Sequence, residues 1–113
     1  MLELHNKLNE EVALWEVLVP TIMNKKHVRT RHHKQWDKFV RSISGGLTVL
    51  KPAKGQWLEP TSKELYEERT IPVRIACTRK QIDKIIDFTI KHYNQLAVMA
   101  YKLSNEVIIK NRE

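Results

Sequence analysis

The chain has 113 residues, 42% of them hydrophobic, which fits one domain with a modest core and leaves no room for several. One cysteine, Cys77, excludes an internal disulfide and a thiolate metal cluster; no apolar run approaches the roughly 18 residues of a membrane-spanning helix, and with no signal peptide ahead of the first strand the expected compartment is the cytoplasm. Lys and Arg outnumber Asp and Glu by 20 to 13, a formal net charge of +7, which recruits phosphate-bearing or anionic partners and leaves the fold open.

Residues 1–11 form a polar N-terminal segment, and residues 12–113 read as one α+β domain. Val12 to Val19 mixes β-branched, aromatic and aliphatic residues up to Pro20, a strand signature. Thr21 to Arg31 reads as a polar connection. Around it Lys25, Lys26, Arg29, Arg31 and Lys34 gather, with His27, His32 and His33 among them. That cluster is either a solvated loop and helix start or an electrostatic landing strip for nucleic acid. Its histidines are poorly spaced for one ion and have no nearby cysteine to complete a tetrahedron, so no metal is expected.

Trp36, Phe39, Val40 and Ile43 recur at the spacing of one helical face, and Gly45-Gly46 stops that helix. Leu47 to Leu50 reads as a strand and Gln56 to Glu59 as a short one. Leu65 to Cys77 is the longest, with Ile71, Val73 and Ile75 on one face. Pro72 lies inside it and predicts an edge or bulged position. Thr78 to Gln81 fits a capping box, followed by a helix carrying Ile82, Ile85, Ile86, Ile90 and Tyr93. Leu96 to Leu103 and Glu106 to Ile109 read as two closing strands. The order predicts a ferredoxin-like antiparallel sheet with two helices packed on one face.

Glu67 and Glu68 stand at the head of the long strand. Successive strand residues point to opposite faces, so Glu67 and Arg69 fall on the apolar side, and Glu68, Thr70 and Arg74 on the other. Cys77, at the far end, reads as a small buried hydrophobe and not a nucleophile.

The run Glu67-Glu68-Arg69-Thr70-Ile71-Pro72-Val73-Arg74-Ile75-Ala76-Cys77 resembles the strand of the phage S-adenosylmethionine lyases, enzymes formerly called hydrolases. The likeness extends to Tyr93-Asn94-Gln95 ahead of Val98 to Lys102, to Val17-Leu18-Val19, to Arg31-His32-His33 and to the Gly55-Gln56-Trp57 turn. It implies a substrate, S-adenosylmethionine, whose own carboxylate attacks its γ-carbon, releasing methylthioadenosine and homoserine lactone. The resemblance implies no metal, no cofactor and no protein nucleophile. Glu68 would hold the ligand with Glu67 as second candidate, Gln95 would hydrogen-bond it, and Trp57 or Tyr66 would stack on adenine. It also implies a homo-oligomer, a trimer with the ligand between subunits. The alternative is a non-enzymatic basic module for nucleic acid, with Trp15 and Tyr101 available for base stacking.

Overall fold

The computed structural model describes residues 11–112. The segment 1–11 therefore lies outside the described residues, except for Glu11. Strand β1 (Val12–Pro20) leads into a small hairpin, β2 (Ile22–Met23) and β3 (Lys26–His27), then helix α1 (Thr30–Ser44). Strands β4 (Thr48–Val49), β5 (Ala53–Leu58) and β6 (Leu65–Thr78) follow, then helix α2 (Arg79–His92) and strand β7 (Ala100–Ser104). Every sheet pairing is antiparallel, and β6 sits inside the sheet between β1 and the successive strands β4 and β5. The expected α+β architecture, an antiparallel sheet carrying two helices, is what forms.

The core follows from strand alternation. Ala13, Trp15, Val17 and Val19 of β1 and Val73, Ile75 and Cys77 of β6 are buried, and they pack with Trp36, Val40, Ile82, Ile85 and Tyr93. Burying a side chain such as Ile75 stabilises the fold by about 1.5–3 kcal/mol. The buried Trp36 indole donates to Thr89 Oγ1 at 2.8 Å, so the core polar atoms of the two helices satisfy each other. Gly45 ends α1 in the left-handed conformation (φ 90°), its N–H donating to the Arg41 carbonyl. Thr78 and Gln81 form the expected capping box on α2.

Four expectations need correction. Pro72 lies in an interior strand, not at an edge. Its carbonyl accepts from Leu50 N–H at 2.9 Å, and a strand residue's N and C=O point to the same side. The missing donor of Pro72 therefore faces Leu50 to Pro52, where β4 hands over to β5 and the ladder is already interrupted. The connection after β1 contains the β2–β3 hairpin, whose turn holds Asn24 and Lys25 at positive φ. The first closing strand is shorter than Leu96 to Leu103, starting only at Ala100, and Glu106 to Ile109 forms no strand. His32 and His33, read as part of a solvated basic face, turn inward instead. The His32 ring stacks on His92 at 3.7 Å, and His33 Nδ1 bonds the Tyr93 hydroxyl at 2.7 Å.

Candidate functional site

Beyond the part of the sheet that the helices cover, β5 and β6 continue as a two-stranded arm. The molecule measures 54 × 31 × 23 Å along its principal axes. The turn joining the strands is built by Glu59, whose carboxylate accepts from the N–H groups of Thr61 (2.8 Å) and Ser62 (2.6 Å). Those bonds, the one from Ser62 foremost, hold its carboxyl below the usual range.

The ladder pairs Gln56 with Glu67, Trp57 with Tyr66, Leu58 with Leu65 and Gly55 with Glu68. The Trp57 and Tyr66 rings stack at 4.7 Å with an interplanar angle of 17°, a cross-strand aromatic pair contributing about 0.2–1 kcal/mol. The Tyr66 hydroxyl donates to Glu64 at 2.9 Å, which fixes the ring. On the opposite side of the arm Gln56 Nε2 donates to Glu67 at 2.6 Å.

Glu68 differs from its neighbour. Alternation puts it on the Trp57–Tyr66 side, and the residue across from it is a glycine. A Cβ at Gly55 would meet nothing closer than the Glu68 carbonyl at 3.9 Å. The missing side chain leaves a slot beside the Glu68 carboxylate, bordered by the aromatic pair. The Glu68 carboxylate forms no hydrogen bond or ion pair with the described residues. The arm thus offers an aromatic platform and an uncommitted carboxylate side by side.

Gln95 lies in the turn after α2 and approaches the same end of the sheet. Its Nε2 donates to the Tyr93 carbonyl at 2.9 Å and reaches the Ile22 carbonyl at 3.5 Å. The neighbouring Thr21 hydroxyl donates to the carbonyl of Arg69, next to Glu68 in β6, at 2.7 Å. The Gln95 carbonyl oxygen accepts nothing from the described residues, so it is the free end of that amide. The structure brings Glu68, Trp57 and Tyr66 onto one face, sets Glu67 on the other, and places Gln95 near the arm's base.

A constellation that sequence reasoning missed sits on the uncovered side of the sheet. Glu16, 8% exposed, accepts from Arg74 Nε at 3.0 Å and from the Tyr101 hydroxyl. The Tyr101 bond first, then the Arg74 guanidinium, outweigh desolvation and hold the Glu16 carboxyl below its usual range. Of the two expected stacking residues, Trp15 is buried against the helices with its Nε1 donating to the Cys77 carbonyl, while Tyr101 is 38% exposed and its hydroxyl serves Glu16. Burial pushes the Cys77 thiol up to about 12, so it is no nucleophile.

A cavity of about 300 Å³ opens at the far end of the sheet, lined by Glu11, Ala13, Trp15, Arg79, Lys102 and Asn105. None of Glu67, Glu68, Trp57, Tyr66 and Gln95 lines it. Lys102 Nζ lies 5.2 Å from the Trp15 ring centre there. Among the described residues no three His, Cys, Asp or Glu side chains converge as a metal site would require.

No family model and no curated protein matches the chain. Solved structures do. The CutA protein of Xylella fastidiosa superposes with a TM-score of 0.64 at 11% identity, covering 88% of each chain. The divalent cation tolerance protein CutA1 of Thermus thermophilus gives 0.61 at 12% identity, covering 90% of this chain and 87% of that one. A phage SAM lyase in complex with S-methyl-5′-thioadenosine gives 0.62 at 12% identity, covering 88% of this chain and 85% of that one. At these identities the likeness establishes a shared fold.

Proposed function

We propose that this chain is an S-adenosylmethionine lyase of the cytoplasm, a single domain over residues 12–113 that works as a homotrimer. The fold is shared equally with the divalent cation tolerance proteins, so the reading rests on side chains. The observation that carries it is the Trp57–Tyr66 platform beside Glu68, with the empty slot at Gly55. S-methyl-5′-thioadenosine, the ligand of the phage SAM lyase, is the product such a site would release.

The chemistry asks little of the protein. The substrate carboxylate attacks its own γ-carbon, a C–O bond forms, and the C–S electron pair returns to sulfur, neutralising the sulfonium. What the protein supplies is the folded geometry and the exclusion of water. Adenine stacks on Trp57 and Tyr66, and Glu68 takes the ribose hydroxyls or the cationic end of the ligand. Gln95 offers its free carbonyl oxygen. Glu67, already bonded to Gln56, is the second candidate carboxylate. In a lone protomer Trp57 is 50% exposed and Tyr66 41%, so water exclusion needs a second subunit over the arm.

Incubation with S-adenosylmethionine should yield methylthioadenosine by mass detection. Glu68→Gln should lower kcat/KM at least tenfold, and Glu67→Gln should do so less. An intact substrate after hours, with no calorimetric binding signal, would refute the reading.

A further inference from the structure

Helix α1 buries Trp36, Val40 and Ser44. Its opposite side carries Arg31, Lys34, Lys38 and Arg41, at i, i+3, i+7 and i+10, all exposed. At 1.5 Å per residue this cationic row runs about 15 Å along the helix. Directly before it, exposed Lys25 and Lys26 sit on the β2–β3 hairpin, and Arg29 occupies the position that caps the helix. The hairpin is held in place by Asn94 Nδ2, which donates to Asn24 Oδ1 at 2.8 Å.

Three features make this row costly to maintain. Cations at these helical spacings repel one another. No acidic residue lies in the first turn of α1, and Arg29 provides no side-chain cap, so cations crowd the positive end of the helix dipole. The ion pairs among the described residues are Glu16–Arg74 and Arg79–Asp83, so none of these cations is neutralised within them. Asp37, the one acid of α1, is half-buried on the flank of the row, close enough to His33 to act on its charge. A surface with no partner would intersperse both signs.

We propose that the row Arg31–Lys34–Lys38–Arg41, with Lys25 and Lys26, binds the phosphate backbone of duplex nucleic acid without reading its sequence. The form of the surface selects this partner. Single-strand binders stack bases on exposed aromatics, and here Trp36 is buried and Phe39 packs on Phe88 at 3.9 Å. Membrane-surface helices insert an apolar face, and the apolar face of α1 is committed to the core. Helix α1 packs on the side of the sheet away from Arg74 and Tyr101, so a bound duplex leaves the uncovered sheet face and the Glu68 face of the arm accessible. The inference does not depend on lyase activity.

The test is fluorescence anisotropy of the full chain with a labelled mixed-sequence duplex of about 20 base pairs, titrated across salt concentrations. With four to six phosphate contacts the expected slope of log K against log salt is about −4 to −5. Arg31→Glu with Lys38→Glu should weaken binding about tenfold or more near 0.1 M salt and flatten the slope by about two. Lys25→Gln with Lys26→Gln, a milder pair on the hairpin, should flatten it likewise. The charge-matched pair Lys80→Glu with Lys84→Glu on exposed positions of α2 should leave affinity within about twofold. Circular dichroism melts identify any variant that fails to fold. Equal losses in the α1 and α2 pairs would reduce the effect to net charge and overturn the proposal. So would tighter binding to a single strand of the same length, or binding to anionic vesicles and not to the duplex.

Discussion

Glu16 is held by two side chains of different character. Arg74 is 46% exposed, so the ion pair itself sits at the weak end of surface pairs. Tyr101 supplies a neutral hydroxyl donor. Tyr101→Phe should therefore cost about 1 kcal/mol in denaturant unfolding, and Arg74→Met somewhat less. The folded carboxyl lies below its ordinary 4.5, so the folded state binds fewer protons than the unfolded one there. Its contribution is complete above pH 4.5 and declines as pH falls further, a decline that Glu16→Gln should remove. Neither partner was legible in the sequence: one acid in an apolar strand has no period, and its partners lie 58 and 85 positions away. Glu67 and Glu68 were legible because alternation alone separates their faces. What alternation could not show is the Gly55 slot, which depends on the cross-strand register. Gly55→Val should fold normally, since no contact around its Cβ is tight, yet lose affinity for S-adenosylmethionine in calorimetry.

The helices illustrate what spacing can and cannot reveal. Apolar periodicity and the capping box located α1 and α2, while the ties between the helices came from residues that looked like decoration. His32 Nε2 bonds the His92 carbonyl at 2.6 Å, and His92 Nε2 bonds the His32 carbonyl at 2.8 Å. Both carbonyls only accept, so both rings carry the Nε2 proton. At the other end of the pair Gln81 Nε2 donates to the Ile43 carbonyl at 2.9 Å, so the two helices are pinned at both ends. The groups facing these rings are His33, Tyr93 and Asp37. Burial lowers the His92 and His33 pKa values below 6.5. The unfolded chain then binds more protons, so stability holds above pH 6.5 and falls as pH drops below it. A denaturant series across that range checks the slope, and His92→Phe should flatten it while keeping the stack on Phe88. The β2–β3 hairpin escaped notice because two-residue strands carry no measurable alternation.

At the scale of the whole molecule, one face of the sheet has no helix over it among the described residues. Tyr101 and Leu103 in β7 are exposed apolar side chains, and so are Leu58 and Leu65 at the arm's tip, on the side that carries Gln56 and Glu67. A monomer with that much uncovered apolar surface is expected to associate. Light scattering should give a trimer, and Leu58→Glu with Leu65→Glu should shift it toward monomer while abolishing methylthioadenosine formation. The general architecture was readable because it depends on element order and amphipathic faces. The arm was not, because nothing in the spacing of Gln56 to Glu59 tells how far β5 pairs along β6.

Strand β6 runs unbroken for 14 residues from the arm into the core. Val73, Ile75 and Cys77 dictate its register, and the same register decides which way Glu68 and Tyr66 point. Inheritance is constrained accordingly. A single-codon insertion or deletion between Arg69 and Ile71 would leave the core intact and turn the arm over, carrying Glu68 and the aromatic pair together to the other face of the sheet. Changes of two codons would preserve the face. Length variation in this stretch among descendants of the chain should therefore come in even steps, and an odd one should mark a copy whose arm has lost its original task.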